Sequence, residues 1–223
     1  MKTDAHDIRH QPAYGLTEAA RYVGLPAPTL RTWVAGRADR DAFQPLIRPA
    51  SRDPLQLSFY NLVEAHVLRS LRTAHEVSMP DLRKALAYAE KELAIDRLLL
   101  RPELRTTAGE VFLDRYGKLI NLTRSGQLAM REMLKRYLQR VEWDRWSFPV
   151  RLFPFTAAGD TAAKSIAIDP QIAFGRPVLL RVGVSTAAIA DRIDAGESVK
   201  DVAGDYDLSP EEVQQAVLYA RAA

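Results

Sequence analysis

The stretch LTEAARYVGLPAPTLRTWV, residues 16–34, decides the fold of the N-terminal part of the chain. Apolar residues recur at helical spacing in both halves of the stretch, and Thr17 is a suitable N-cap for the first helix. Gly24 suits the left-handed residue that ends this helix, and Pro28 fits the opening of a second one, where its missing N–H costs nothing. The pattern predicts two short helices joined by a tight turn. This is the layout of a helix-turn-helix, whose second helix enters the major groove.

The second predicted helix and the segment behind it carry the candidate DNA contacts. Leu30 and Trp33 mark its inward face, which leaves polar side chains outward. Residues 36–54 are rich in Arg and Pro, and residues 55–59 alternate apolar and polar, which predicts a two-stranded wing with its tip near Ser51. A solvated surface loop is the alternative. The predicted DNA-binding residues are Thr29, Arg31, Thr32, Arg37, Arg48 and Arg52.

Two amphipathic helices are predicted behind the wing. Residues 61–72 place Leu62 and Leu68 on one face at helical spacing, and Ser78 is a suitable cap for a helix that runs to Leu93 or beyond. His66 receives no functional role, because a histidine on such a helix is usually structural.

The order of these pieces resembles a known DNA-binding module. The segments Leu16–Arg21, Leu30–Trp33, Leu57–Phe59 and Leu62–Ala65 follow one another as in the winged helix-turn-helix of the MerR type. The resemblance covers roughly residues 14–90, and it implies a DNA-binding domain.

The middle of the chain is predicted to contain a hairpin, a helix and an extended segment. Residues 109–122 predict an antiparallel hairpin, and Ser125 is a suitable cap for a helix behind it. Prolines bracket the extended segment 149–155, which suits a sheet edge. The aromatic residues Trp146 and Phe153 fit either a core or a binding edge.

The C-terminal part has an organisation of its own. Residues 165–170 predict a strand that ends in a turn, and three helices are predicted to start after Ser185, Ser198 and Ser209. The segments Ile168–Pro170, Gly175–Pro177, Ala195–Ser198, Asp205–Leu208 and Val213–Val217 resemble a small domain of uncharacterised function that antitoxins commonly carry. In that family a Gly-Thr-Arg segment usually follows Arg-Pro, and residues 181–184 depart from it.

A MerR-like N-terminal domain followed by this C-terminal domain is similar to one antitoxin type of the VapBC toxin–antitoxin systems. The resemblance implies an antitoxin that binds a PIN-domain ribonuclease toxin and represses its own operon by binding operator DNA as a homodimer. Such a toxin surrounds its catalytic carboxylates with a basic RNA-binding surface. An antitoxin can block it by placing an arginine near the carboxylates, or an acidic or apolar surface over the path of the RNA. We place the toxin contacts at Trp146, Arg151 and Phe153.

These observations predict a mainly α fold with small β elements (α+β), in which an N-terminal winged helix-turn-helix and a C-terminal trihelical domain are joined by a hairpin-containing middle segment. The predicted boundaries are a flexible arm at 1–13, the MerR-like domain at 14–93, the linking region at 94–164 and the C-terminal domain at 165–223.

Charge and composition narrow the function classes. Residues 1–145 hold 24 Lys and Arg against 18 Asp and Glu, whereas residues 146–223 hold 7 Lys and Arg against 10 Asp and Glu. The N-terminal part is therefore basic and the C-terminal part acidic. The 223 residues include no cysteine, no apolar run long enough to span a bilayer and no signal-like N-terminus. No nucleotide-binding or hydrolase motif is present. We therefore expect a cytoplasmic protein that is not an enzyme and needs no metal or cofactor.

A second hypothesis comes from another class. Residues 94–165 could enclose a small effector, which would make the chain a ligand-sensing MerR-like transcriptional regulator without a toxin partner. A specific ligand would raise the melting temperature by mass action, which distinguishes the two hypotheses.

Overall fold

A computed structural model describes residues 7–36, 44–73, 79–92, 97–101, 131–132, 134–155 and 164–221. Over these ranges helices alternate with small antiparallel sheets, which confirms the predicted class of a mainly α fold with small β elements. Arg37, the hairpin at 109–122 and the caps at Ser78 and Ser125 lie outside the described residues.

The stretch at residues 16–34 forms two helices. α1 runs over Leu16–Tyr22 and α2 over Ala27–Ala35. Gly24, in the turn between them, has φ +63°, so the predicted left-handed residue is confirmed. The predicted cap at Thr17 is wrong: α1 already begins at Leu16, and the Glu18 carboxylate accepts the Gly15 backbone N–H at 3.3 Å.

A three-stranded sheet adjoins this helix pair. Its strands are β1 (Tyr14–Gly15), β2 (Ser51–Arg52) and β3 (Leu55–Leu57), in the order β1-β3-β2 with antiparallel pairing. The β2–β3 hairpin turns at residues 53–54, two positions beyond the expected tip at Ser51, because Arg52 still pairs with Leu55.

Two longer helices complete the first core. α3 runs over Phe59–Thr73 and α4 over Met79–Glu92, and a 3₁₀ turn covers Leu98–Leu100. Trp33, the largest fully buried side chain among those described, packs in this core. The core also takes in Leu134, Leu138 and Val141, so residues of the predicted middle segment pack against the N-terminal helices.

Short strands lead into the C-terminal part. β4 (Val141–Trp143) and β5 (Pro149–Leu152) pair as an antiparallel hairpin, and Leu152 forms a bridge to Ile168. The next sheet follows directly, with β6 (Ile166–Ala167), β7 (Val178–Leu179) and β8 (Val184–Ser185) in sequential antiparallel order.

The three predicted C-terminal helices are all present. They are α5 (Thr186–Asp194), α6 (Val199–Asp205) and α7 (Pro210–Arg221). Ser185 and Ser198 cap the first two, and Ser209 with Glu212 forms the reciprocal capping pair predicted for the third. Their apolar faces build a second core around Ile189, Val202 and Val213.

Tyrosine hydroxyls join the two cores. The Tyr14 hydroxyl donates to the backbone oxygen of Gly175 at 3.1 Å, and the Tyr219 hydroxyl donates to that of Tyr22 at 3.0 Å. Burial raises the pKa of both Tyr14 and Tyr219, so both phenols stay protonated donors. The C-terminal helices are therefore docked against α1.

Glu18 adds a charged contact to this docking. Its carboxylate pairs with Arg176 at 2.8 Å and accepts the Tyr22 hydroxyl at 2.8 Å. Burial, together with this hydrogen bond, raises the pKa of Tyr22 to about 12.

No helix within the described ranges is both long and apolar enough for a membrane span.

His66 is a neutral histidine in the first core. Its Nε2 lies 3.1 Å from the backbone oxygen of Tyr137; because a carbonyl only accepts, Nε2 carries the proton and donates. Burial lowers the pKa of His66 from its ordinary 6.5 to about 3. The unfolded chain therefore takes up a proton here at a pH where the folded chain does not.

We expect the free energy of unfolding to fall as pH drops from 6.5 towards 3, with His66 contributing up to about 1.4 kcal/mol per pH unit. His66→Gln keeps an N–H donor without the titration, so its stability should change less over this window. Urea unfolding at several pH values measures both slopes. Parallel profiles for the two proteins would show that His66 does not set this dependence.

Candidate functional site

The outward face of α2 presents one unpaired guanidinium. Arg31 is exposed, and no hydrogen bond or ion pair to it exists within the described residues. Thr29 and Thr32 lie half-buried beside it, and the Thr32 hydroxyl donates to the backbone oxygen of Pro28 at 3.0 Å. Arg31 is thus the side chain on this face with the greatest freedom to contact a ligand.

The two arginines predicted for the wing differ in availability. Arg52 is exposed on β2 and has no ion-pair partner among the residues that the structure describes. Arg48 forms an ion pair with Glu90 of α4, an exposed contact. Within the described ranges, the Arg52 charge is therefore not paired with a carboxylate, whereas part of the Arg48 charge is neutralised.

Asn61 on α3 holds the chain that leads into the hairpin. Its Oδ1 accepts backbone N–H groups from Ala50 at 3.1 Å and Ser58 at 3.0 Å. Its Nδ2 donates to the backbone oxygen of Arg48 and to Glu64, both at 2.9 Å. One buried amide thus fixes both flanks of the hairpin, and the sequence pattern gave no indication of this role.

Glu64 extends this network to a fourth segment. Its side chain is only 4% exposed and is held by Arg97 in a bidentate pair, with N–O distances of 2.9 and 2.7 Å. We name Asn61, Glu64 and Arg97 the hairpin-anchoring network. It stabilises the position of the hairpin relative to α3.

Trp146 is the predicted toxin-contact residue that the structure leaves most exposed. It sits in the β4–β5 turn with 64% of its surface exposed, and the Arg145 guanidinium lies 3.9 Å from its ring centroid. The Asp144 carboxylate fixes the turn by accepting the backbone N–H groups of Trp146 and Phe148, both at 2.9 Å.

The other two predicted toxin contacts have structural partners. Arg151 pairs with Glu142 at 2.8 Å and with Asp169 at 2.9 Å, which ties β5 to the loop behind β6. Phe153 is buried, and its backbone N–H donates to the oxygen of Arg140 at 2.7 Å. The structure therefore does not bring the three residues together as one exposed group.

Comparisons with known proteins find one matching family model and two similar full-length proteins. A family model described as "Protein of unknown function (DUF433)" matches residues 166–220, inside the predicted antitoxin-associated domain. The candidate antitoxin VapB45 of Mycobacterium tuberculosis is 30% identical over 92% of this chain and 92% of its own length. The uncharacterised protein Rv2308 of the same organism is 27% identical over 93% of this chain and 90% of its own.

A solved structure is also similar to this chain over most of its length. The crystal structure of Rv2018 from Mycobacterium tuberculosis is 27% identical, with a TM-score of 0.72 over 92% of this chain and 97% of that chain. Fold and sequence together define an antitoxin-like protein with a DUF433 domain behind an N-terminal helical unit. The chain belongs to the family of VapB45.

Proposed function

We propose that this protein is the antitoxin of a type II toxin–antitoxin pair, which binds and inhibits a PIN-domain ribonuclease and represses its own operon through DNA binding. The observation that carries the proposal is the similarity to VapB45 along 92% of both chains. In this account the protein is a non-enzymatic regulator, and the catalytic centre belongs to the toxin.

The DNA-binding part of the proposal assigns base readout to α2 and phosphate contacts to the hairpin. Arg31 is exposed on α2, and Arg52 is exposed on β2 without a counter-charge among the described residues. Arg31, Thr29 and Thr32 read base edges, whereas Arg37, Arg48 and Arg52 contact phosphates. We propose that the protein binds as a homodimer, because one small module makes few base contacts and two half-sites multiply specificity.

Arg31→Ala is expected to relax base preference, with a loss of about 1–3 kcal/mol confined to operator DNA. Arg52→Ala is expected to weaken binding to all sequences alike and to lower the salt slope by about one. Titration of operator and scrambled duplexes at several salt concentrations measures both effects. Lys200→Ala, an exposed lysine on α6, is the control. An equal loss on both duplexes for Arg31→Ala would move base recognition elsewhere.

The toxin-binding part is tested by complex formation. The protein is co-expressed with the PIN-domain ribonuclease that the proposal assigns to its operon, and size-exclusion chromatography is expected to show one stable complex. Trp146→Ser tests the predicted contact at the β4–β5 turn, since exposed tryptophan is a frequent hot spot of protein interfaces. Separate elution of the two wild-type proteins would count against the proposal.

One observation favours the second candidate, a ligand-sensing regulator. A cavity of about 360 Å³ lies between the segment at Leu46, α4 and the 3₁₀ turn at Leu98–Leu100, so only the turn and Arg97 belong to the range 94–165 in which an effector pocket was predicted. Arg48 and Arg52 also line it, so an anionic ligand there would compete with DNA for the same guanidinium groups. A rise in melting temperature with a metabolite, together with no ribonuclease binding, would favour this candidate.

A further inference from the structure

Phe174 is an anomaly in the C-terminal unit. Its side chain is 91% exposed, more than any other large apolar side chain in the described ranges. It lies in a 3₁₀ turn, Ala173–Gly175, between β6 and β7. A phenyl ring in this position leaves nearly all of its apolar area in water, so it gains none of the free energy that burial would supply.

The backbone adds a second cost at the same place. Ala173 and Phe174 have φ values of +46° and +53°, in the left-handed region that non-glycine residues rarely adopt. Each such residue is strained, because its Cβ approaches the backbone more closely than in the right-handed region. Glycine or asparagine would form the turn at lower cost, so the fold itself does not explain a phenylalanine here.

The surrounding contacts hold this strained turn in place. The backbone N–H of Gly175 donates to the oxygen of Ile172 at 2.9 Å, and the Gly175 oxygen accepts the Tyr14 hydroxyl. At its start, the Asp169 carboxylate accepts the backbone N–H of Gln171 at 2.9 Å and is itself paired with Arg151. The exposed ring is therefore presented by a fixed turn.

The charges near the turn indicate what kind of partner it fits. Beside the turn, Arg151 pairs with Glu142 and Asp169, and Arg176 pairs with Glu18, so the net charge of the surrounding unit decides which partner the turn attracts. Residues 165–223 as a whole hold nine Asp and Glu against five Lys and Arg. Nucleic acid, and the same acidic unit of a second copy, are disfavoured here by like charge, whereas a basic protein surface is attracted.

We propose that Phe174 is an anchor residue for the toxin, inserting into an apolar pocket on the basic face with which the ribonuclease binds RNA. The proposal rests on the proposed antitoxin function, which supplies the partner. A ribonuclease must bind a polyanion, so its RNA-binding surface is basic and complements the charge around the turn. Arg151 then acts as a positioning residue, because it holds Asp169 at the base of the turn.

Phe174→Asn separates binding from folding. Asparagine tolerates the left-handed region, so the variant is expected to melt at or above the wild-type temperature. Its affinity for the ribonuclease, measured by calorimetry, is expected to fall about thirtyfold, as for an interface hot spot. Leu218→Ser on α7, at a residue 49% exposed, is the matched control and should bind like wild type.

The outcomes are distinguishable. If wild type binds the ribonuclease and Phe174→Asn binds it equally well, this inference fails and the proposed function stands. If wild type itself does not bind, both fail. If Phe174→Asn changes only the oligomeric state measured by light scattering, the ring contacts a second copy and the inference is overturned.

Discussion

Glu64→Ala is expected to lower the free energy of unfolding by about 3 kcal/mol. The substitution removes a buried carboxylate that accepts two hydrogen bonds from Arg97 and one from Asn61. Arg97, itself mostly buried, then loses its bidentate counter-charge. The loss is expected to be large because the Arg97 guanidinium would lose this bidentate pair while the desolvation cost of its charge remains.

A second Glu–Arg pair at the same cavity is the matched control. Glu90 pairs with Arg48, but both side chains are about half exposed or more, so Glu90→Ala should cost less than about 1 kcal/mol. Urea unfolding of the three proteins measures the difference. Similar losses for Glu64→Ala and Glu90→Ala would show that the hairpin-anchoring network is not a main source of stability.

Gly175→Ala is expected to destabilise the protein by about 2–5 kcal/mol and to disturb the docking of the two cores. An added Cβ would lie 2.2 Å from the Tyr14 hydroxyl oxygen, far inside contact distance. The backbone φ of +75° adds strain for any side chain. Because Tyr14 also donates to the Gly175 oxygen, the clash falls on the contact that joins the two cores.

Two further variants isolate the clash. Gly183→Ala has a similar φ of +71°, but beyond its chain neighbours the added Cβ meets no atom of the described residues within 4 Å, so its cost reports strain alone. Tyr14→Phe removes the clashing hydroxyl and should cost only about 1 kcal/mol by itself. Combined with Gly175→Ala it should recover part of the loss, as seen in a thermal unfolding cycle. Equal losses for the alanine variants at 175 and 183 would contradict the account.

The parts of the fold that depend on local chemistry could be predicted from sequence. The caps at Ser185, Ser198 and Ser209 and the turn at Gly24 involve neighbours within a few residues, and each is found. Thr17 failed as a cap because β1, paired with β3, ends at Gly15 and brings the helix start forward.

The site could be predicted only in part, because its partners are distant in the chain. Helical spacing places Arg31 outward, as found, but cannot show that Arg48 pairs with a residue 42 positions away. Likewise, the pairing of Arg151 with Asp169 depends on strand register. The exposure of Phe174 follows from a backbone conformation that residue type disfavours, so no sequence pattern indicates it.

The proposed function is tested most directly by measuring whether this protein inhibits a ribonuclease. Labelled RNA is incubated with the PIN-domain ribonuclease that the proposal assigns to its operon, while the protein is added up to and beyond one equivalent. The cleavage rate is expected to fall to background near one equivalent. Cleavage that continues unchanged in molar excess of this protein would contradict it.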